Sequence, residues 1–326
     1  MKIGVALSGG GIRGSAHVGV LKAFEEAGVP IHMISGTSSG SIVASLYASG
    51  YKPREIEKIF LMFDSSRIAD FDWSKIVPYI VDVILLKRTR QIGKLSLVDF
   101  DYMGLLLFFV NLILKRKAKV DGFIKGNIIE NVVKEYCCDR KVFLMKDTLI
   151  PLAVPAVDIN SAQTIMFVSD KTNLRETRHI IYVDDAPIWV AVRASASFPV
   201  IFKPKMFRGR RLVDGGITYN IPADVLKHMG ADKVIAVNLG YSGYPREEVD
   251  NIFEIASQSM DIMSYQLSKY RLCNVDYELK PEIYDVKLLE ASRIKECIDR
   301  GYMAAKQALP SIKKSVGLNG IFVSKN

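Results

Sequence analysis

Short apolar runs alternate with amphipathic stretches along most of this chain. Residues 2–7, Lys2-Ile3-Gly4-Val5-Ala6-Leu7, read as a strand. Residues 13–27 read as a helix, with Ala16, Val20, Ala23 and Ala27 on one face and Gly28-Val29-Pro30 as its stop. The next strand falls at 31–35, and a helix rich in Ser and Ala follows over 39–49. Further strands are predicted at Leu152–Val157, Thr164–Val168, Arg211–Val213, Val234–Asn238 and Tyr277–Leu279. Further helices are predicted over 187–196, 221–229, 247–269 and 292–308. This alternation predicts an α/β protein with helices layered around a mainly parallel sheet. No internal repeat and no low-complexity linker interrupts it.

The stretch over 65–126 breaks the pattern. It holds the apolar run Val77–Leu86, then Lys87-Arg88-Thr89-Arg90, then YMGLLLFFVNLIL at Tyr102–Leu114, then Lys115-Arg116-Lys117. The second run is shorter than the roughly 20 residues a bilayer span requires. Its basic flanks suit an interfacial segment or lid, with a buried core helix as the alternative. The expected organisation is one domain over 1–310 with a 65–126 insertion, and a tail over 311–326.

Composition narrows the partners. With 49% apolar and 24% charged residues, the 326-residue chain has the make-up of a globular protein with a generous core. Its net charge of +9 favours an anionic partner. No zinc-finger spacing or aromatic-basic motif points to nucleic acid, and the basic residues cluster beside apolar runs. An anionic membrane surface is therefore the expected partner. Of the four cysteines, Cys137 and Cys138 are adjacent, and Cys273 and Cys297 stand apart. They form neither a disulfide framework nor a zinc site, and suit a reducing compartment. The glycines that follow Leu7 do not make a signal peptide. The expected location is the cytoplasm, peripheral to the inner face of the membrane.

Two glycine-rich turns stand at the ends of the first two predicted strands. In LSGGGIRGSAHVGVL (residues 7–21), Gly9, Gly11 and Gly14 fit G-x-G-x-x-G. A dinucleotide site needs an acid closing the second strand, and Ile31-His32-Met33-Ile34 runs into Ser35-Gly36 without one. No Gly-Lys-Ser/Thr follows, so a phosphate loop of that type is excluded as well. A glycine turn that only packs a helix closely on a sheet is the plainer alternative. Unpaired N–H groups and the positive end of a helix dipole still offer an anion a seat there.

The second turn is Gly36-Thr37-Ser38-Ser39-Gly40, a G-x-S-x-G at a strand-to-helix junction. That geometry holds a serine with its Oγ exposed, and flanking side chains would crowd it. If Ser38 attacks an ester, the anion awaited by the first loop is a tetrahedral intermediate. Ser38 then needs a base. His17, His32, His179 and His228 all have simpler structural explanations, and none follows a late strand. Asp214-Gly215-Gly216 closes a predicted strand and offers a carboxylate, although an ordinary turn aspartate is the alternative there.

Three motifs in this order, G-G-G-x-R-G at 9–14, G-x-S-x-G at 36–40 and D-G-G at 214–216, resemble the patatin-like phospholipase family. The segment AVRASASFPVIFKPKMF at Ala191–Phe207 is similar to that family too, and the resemblance spans about residues 1–240. It implies a three-layer α/β sandwich with a helical lid, and a serine–aspartate dyad with no catalytic histidine, metal or cofactor. Ser38 would be the nucleophile and Asp214 its base. Gly9, Gly10, Gly11 and Ile12 would supply the oxyanion hole, supported by Arg13, Gly14, Gly36, Ser39, Gly40, Gly215 and Gly216. The implied activity is hydrolysis of lipid acyl esters of the phospholipase A or lysophospholipase type. An acyltransferase with the same nucleophile, or a non-catalytic membrane-binding module, are the rival readings.

Overall fold

The computed structural model of the protein describes residues 1–62, 121–122, 124–240, 249, 252–288 and 290–318. Most of the 65–126 insertion, including both apolar runs, lies outside the described residues. Among the described residues, nine strands form one sheet: β1 (Ile3–Leu7), β2 (Met33–Gly36), β3 (Leu152–Asp158), β4 (Gln163–Val168), β5 (Ile180–Val183), β6 (Lys205–Phe207), β7 (Arg210–Asp214), β8 (Lys233–Val237) and β9 (Tyr277–Leu279). Their order is β5-β4-β3-β2-β1-β8-β9, with β7 also on β3 and β6 on β7. The pairs β1–β2, β1–β8, β2–β3, β4–β5 and β8–β9 are parallel, and β3–β4, β3–β7 and β6–β7 are antiparallel. The sheet is thus mainly parallel, as the alternating pattern predicts.

The helices are α1 (Ala16–Glu26), α2 (Ser39–Ala48), α3 (Pro53–Leu61), α4 (Asn127–Asp139), α5 (Ile188–Ser195), α6 (Gly216–Tyr219), α7 (Ala223–His228), α8 (Ile252–Arg271) and α9 (Ile294–Ser315). The helix expected over 13–27 begins instead as a 3-10 turn at Gly11–Ser15. The one expected over 221–229 is preceded by α6, a single turn after the D-G-G. Two helices, α3 and α4, and two short strands, β5 and β6, stand where the hydrophobic pattern predicts nothing. The last helix passes the expected boundary at 310, and Ile312 and Val316 are fully buried in the main core. The first part of the expected 311–326 tail therefore packs as body of the domain. Among the described residues, no helix is long and apolar enough to cross a membrane.

The strand β4 takes one edge of β3 along its length, Ala153 to Asp158. The other edge is shared. There β2 pairs at Ile34–Leu152 and Ser35–Ala153, and β7 pairs from the opposite direction at Ala156–Asp214 through Asp158–Leu212. The carboxyl ends of β2 and β7 therefore meet head-on in the gap between Ala153 and Ala156. Pro155 stands at this gap and has no N–H to leave unpaired there.

The first and last helices of the domain cross in backbone contact. A Cβ on Gly19 of α1 would lie 1.9 Å from the Ile298 carbonyl oxygen, and one on Gly301 of α9 would lie 2.1 Å from that of Ala16. Alanine would gain at most about 1 kcal/mol of helix propensity at either position. The overlap outweighs that gain, because overpacking costs about 1–3 kcal/mol where neighbours cannot move. Gly19→Ala and Gly301→Ala are each expected to lower stability by about 1–3 kcal/mol, read as the shift of the urea denaturation midpoint. An unchanged midpoint would show that the helices separate freely.

Candidate active site

The turn after β2 is built to a tight backbone specification. Ser38 caps α2 with φ 52° and ψ −124°, a conformation that non-glycine residues rarely adopt. A Cβ on Gly36 would lie 2.3 Å from the Gly40 carbonyl oxygen, and one on Gly40 2.5 Å from that of Ser8. The two glycines of G-x-S-x-G thus let the elbow close on itself and on the end of β1. Thr37 is buried, and its hydroxyl donates to the Tyr219 carbonyl at 2.6 Å, tying the elbow to α6. Ser38 is partly exposed, and its own N–H donates to Ser195 Oγ at 3.0 Å.

Asp214 ends β7 almost fully buried, at 2% exposure. Its N–H donates to the Ser197 carbonyl at 3.0 Å, and its Oδ1 accepts the Gly216 N–H at 2.7 Å. Burial raises its pKa to about 7, against the opposing pull of that N–H and of the Ser38 side chain. Ser38 is close enough to favour the charged carboxylate, yet the bond is not closed. Oδ2 accepts no hydrogen bond of ordinary geometry among the described residues. Such contacts tighten when substrate arrives.

The loop after β1 lies directly over the serine. A Cβ on Gly9 would be 3.2 Å from Ser38 Cβ and 2.9 Å from Asn220 Oδ1. Two of the four expected oxyanion donors are already engaged. The Gly9 N–H donates to the Asn220 carbonyl at 3.2 Å, and the Ile12 N–H to the Leu288 carbonyl at 2.8 Å. Gly9 and Ile12 are therefore structural members of the loop in this conformation. The N–H groups of Gly10, Gly11 and Ser39 have no backbone partner among the described residues. Ser39 opens α2 beside Ser38, so the helix dipole adds to its N–H. Arg13 is buried, and its Nε donates to the Gly10 carbonyl at 3.2 Å. Gly14 packs against the Ser39 side chain.

A cavity opens from this cluster. It is lined by Gly11, Ser38, Ser39 and otherwise apolar side chains. Its walls come from Ile42 of α2, Phe60 of α3, Ile129, Val132 and Val133 of α4, and Ile294 of α9. The segment between α5 and β6 adds Ala196, Phe198, Ile201 and Phe202. Arg193 pins that segment, donating to Ser197 Oγ and to the Lys203 carbonyl. Residues 191–207, singled out by resemblance alone, thus supply a partner for Ser38, a partner for Asp214 and one wall of the cavity. Within that segment nothing marks Ser195 as the residue that meets Ser38, and Asn220 and the α4 wall carry no signal of their roles. Their roles come from distant chain segments meeting at the sheet end.

None of the histidines joins the pair. His17 is fully buried and neutral, its pKa lowered to about 4 by burial, and its Nε2–H donates to the Ser8 carbonyl at 2.8 Å. His32 Nδ1 accepts the Ile3 N–H at 3.0 Å, and His179 and His228 are exposed. Among the described residues, no three His, Cys, Asp or Glu side chains gather as a metal site.

Residues 5–227 match the family model for patatin-like phospholipase. The chain is 27% identical over 242 residues to patatin-like phospholipase domain-containing protein 6 of Mus musculus, a match covering 73% of this chain and 13% of that protein. It is 28% identical over 240 residues to the lysophospholipase NTE1 of Mycosarcoma maydis, covering 74% of this chain and 10% of that protein. Among solved structures, VipD from Legionella pneumophila aligns with a TM-score of 0.47 at 16% identity, covering 95% of this chain and 67% of that one.

Two expectations about stability follow from the site. Ser38→Gly relieves a backbone strain of about 1–3 kcal/mol at the cost of chain entropy, so it should raise the thermal midpoint; a lowered one would mean the elbow is unstrained. Asp214 titrates near 7 when folded and near 4 when unfolded, so the native state holds the extra proton between these values. Its contribution to stability is complete below about pH 4 and is lost as pH rises through 7. Denaturation of wild type and Asp214→Asn across this window should show wild type losing ground relative to the variant, and parallel curves would refute the shifted pKa.

Proposed function

Because the chain belongs to the patatin-like phospholipase family, we propose that it hydrolyses lipid acyl esters through Ser38 and Asp214. One observation carries the reading. Among the described residues, an apolar cavity has Ser38 and Ser39 as its only polar lining side chains, and the nucleophile candidate faces a buried carboxylate at its end. An acyl chain fits such walls, and its ester carbonyl would come to rest at Ser38.

In this mechanism Asp214 accepts the Ser38 hydroxyl proton as Oγ attacks the ester carbon. The carbonyl oxygen becomes an oxyanion facing the N–H groups of Gly10, Gly11 and Ser39. Collapse expels the alcohol, which takes the proton back from Asp214, and leaves an acyl-serine. Water then enters, gives its proton to Asp214 and attacks the acyl carbon. Collapse of the second intermediate releases the fatty acid, and the departing Ser38 Oγ takes the proton back from Asp214. A base with a pKa of about 7 suits both halves, because it is basic enough to take the proton and acidic enough to return it near neutral pH. No step calls for a metal.

The matched lysophospholipase supports phospholipids or lysophospholipids as the substrate class. The net charge of +9 supports work at an anionic membrane surface, and four free cysteines support the cytoplasmic side of it.

A fluorophosphonate probe should label Ser38, and Ser38→Ala should abolish both labelling and fatty-acid release from a lysophospholipid. Asp214→Asn should lower kcat/KM by about 10²-fold or more, the scale of general base catalysis, and a chelator should change nothing. Since the base must be unprotonated, wild-type kcat/KM should rise with pH to a plateau, with its midpoint near 7. Turnover that survives in folded Ser38→Ala, or a rate unchanged from pH 5 to 8, would overturn this reading.

A further inference from the structure

Beyond residues 5–227 of the family match, α8 crosses the back of both halves of the site. Two residues one turn apart on its inner side make the contacts. Asp261 Oδ2 lies 3.3 Å from Arg13 Nη2, and Ser264 Oγ donates to the Gly216 carbonyl at 3.1 Å. The first reaches the loop after β1 and the second the turn that follows Asp214.

The Arg13 contact bears directly on the oxyanion donors. Arg13 is 1% exposed, so its guanidinium needs an anion nearby. Its Nε donates to the Gly10 carbonyl. In a planar trans peptide, the Gly10 C=O and the Gly11 N–H point in opposite directions. A guanidinium that holds the carbonyl on one side therefore aims the N–H to the other, the side of the cavity that Gly11 lines. As the cap of the 3-10 turn, Gly10 also gives its carbonyl to the first bond of that turn, and the guanidinium adds a second restraint. Gly10 and Gly11 have no side chains to resist rotation, and Gly11 already sits at φ 58°.

We infer that Asp261 is a positioning residue of the hydrolase, acting through Arg13 and the Gly10 carbonyl to aim the Gly11 N–H at the oxyanion. The inference rests on the reading above of Ser38 as nucleophile. It makes α8 part of the reaction machinery although the helix touches no substrate. Substrate binding does not use the Gly11 N–H as strongly as the transition state does, so the effect belongs in kcat.

The experiment compares wild type, Asp261→Asn and Asp261→Ala. It measures kcat and KM on a soluble p-nitrophenyl ester, inhibition by a trifluoromethyl ketone that forms an oxyanion on Ser38, the pH profile, and the thermal midpoint. Loss of one oxyanion donor lowers turnover by about 10²–10³-fold, and a misaimed one should lower it by at least about tenfold. Asp261→Ala is therefore expected to lose that factor in kcat with KM within about twofold. The ketone should weaken by the same factor as kcat/KM, with the midpoint near pH 7 unmoved because Asp214 is untouched. Asp261→Asn keeps an acceptor for Arg13 and should recover part of the loss. If the alanine variant does not fold, the asparagine variant decides, with a shared loss in kcat and ketone affinity expected. Wild-type kcat in a folded alanine variant, or a kcat loss with ketone affinity intact, overturns the inference. So does an asparagine variant no better than alanine, or one with wild-type values where alanine does not fold. A wild type that hydrolyses no ester and takes no fluorophosphonate at Ser38 overturns the hydrolase reading itself and this inference with it; an active wild type with indifferent variants overturns only the role of Asp261.

Discussion

Everything at the site depends on two strands sharing one edge of a third. Because β4 occupies one side of β3, the other side must serve both β2 and β7, and they arrive from opposite ends. Their carboxyl ends therefore meet, and the residues just beyond or at those ends, Ser38 and Asp214, come together although β2 and β7 do not pair with each other. A parallel sheet alone would carry its turns in a row along one side. The antiparallel insertion of β7 turns a row into a pair of facing termini. Burial at that junction does the rest. It strips water from Asp214, and the Gly216 N–H and the Ser38 side chain offset that loss in part, so an ordinary carboxyl moves into the neutral range.

The local parts of this arrangement were legible in the sequence, and the long-range parts were not. The elbow at 36–40 could be read because its glycines answer to contacts within a few residues, Gly36 against Gly40 above all. Asp214 could be read because the D-G-G turn follows its own strand. The oxyanion loop was legible as a loop but not donor by donor. Which N–H groups stay unpaired is decided by Asn220 and Leu288, whose carbonyls take Gly9 and Ile12, and nothing near residue 9 announces either. The same holds for Ser195 beneath Ser38, and for the α4 wall of the cavity.

The elements missed by pattern have physical reasons as well. Both β5 and β6 are only four and three residues long, too short for alternation to register. In α4 only Val133 and Cys137 are buried, and the apolar residues that face the cavity do not complete a core stripe. A helix lining an open apolar space keeps some apolar surface unpacked, and its sequence then lacks the clean amphipathic signature of a helix packed on a sheet.

The C-terminal segment has a consequence for the order in which the site comes into being. Leu288 holds the loop through Ile12, Ile294 closes the cavity wall, and α9 crosses α1 backbone to backbone at Gly19 and Gly301. During synthesis, Ser38 and Asp214 emerge well before any of these. A nascent chain thus carries both residues before the Leu288 carbonyl that holds Ile12 has been made. The contacts that moor the loop and close the cavity wall thus depend on the end of the domain folding back over its beginning.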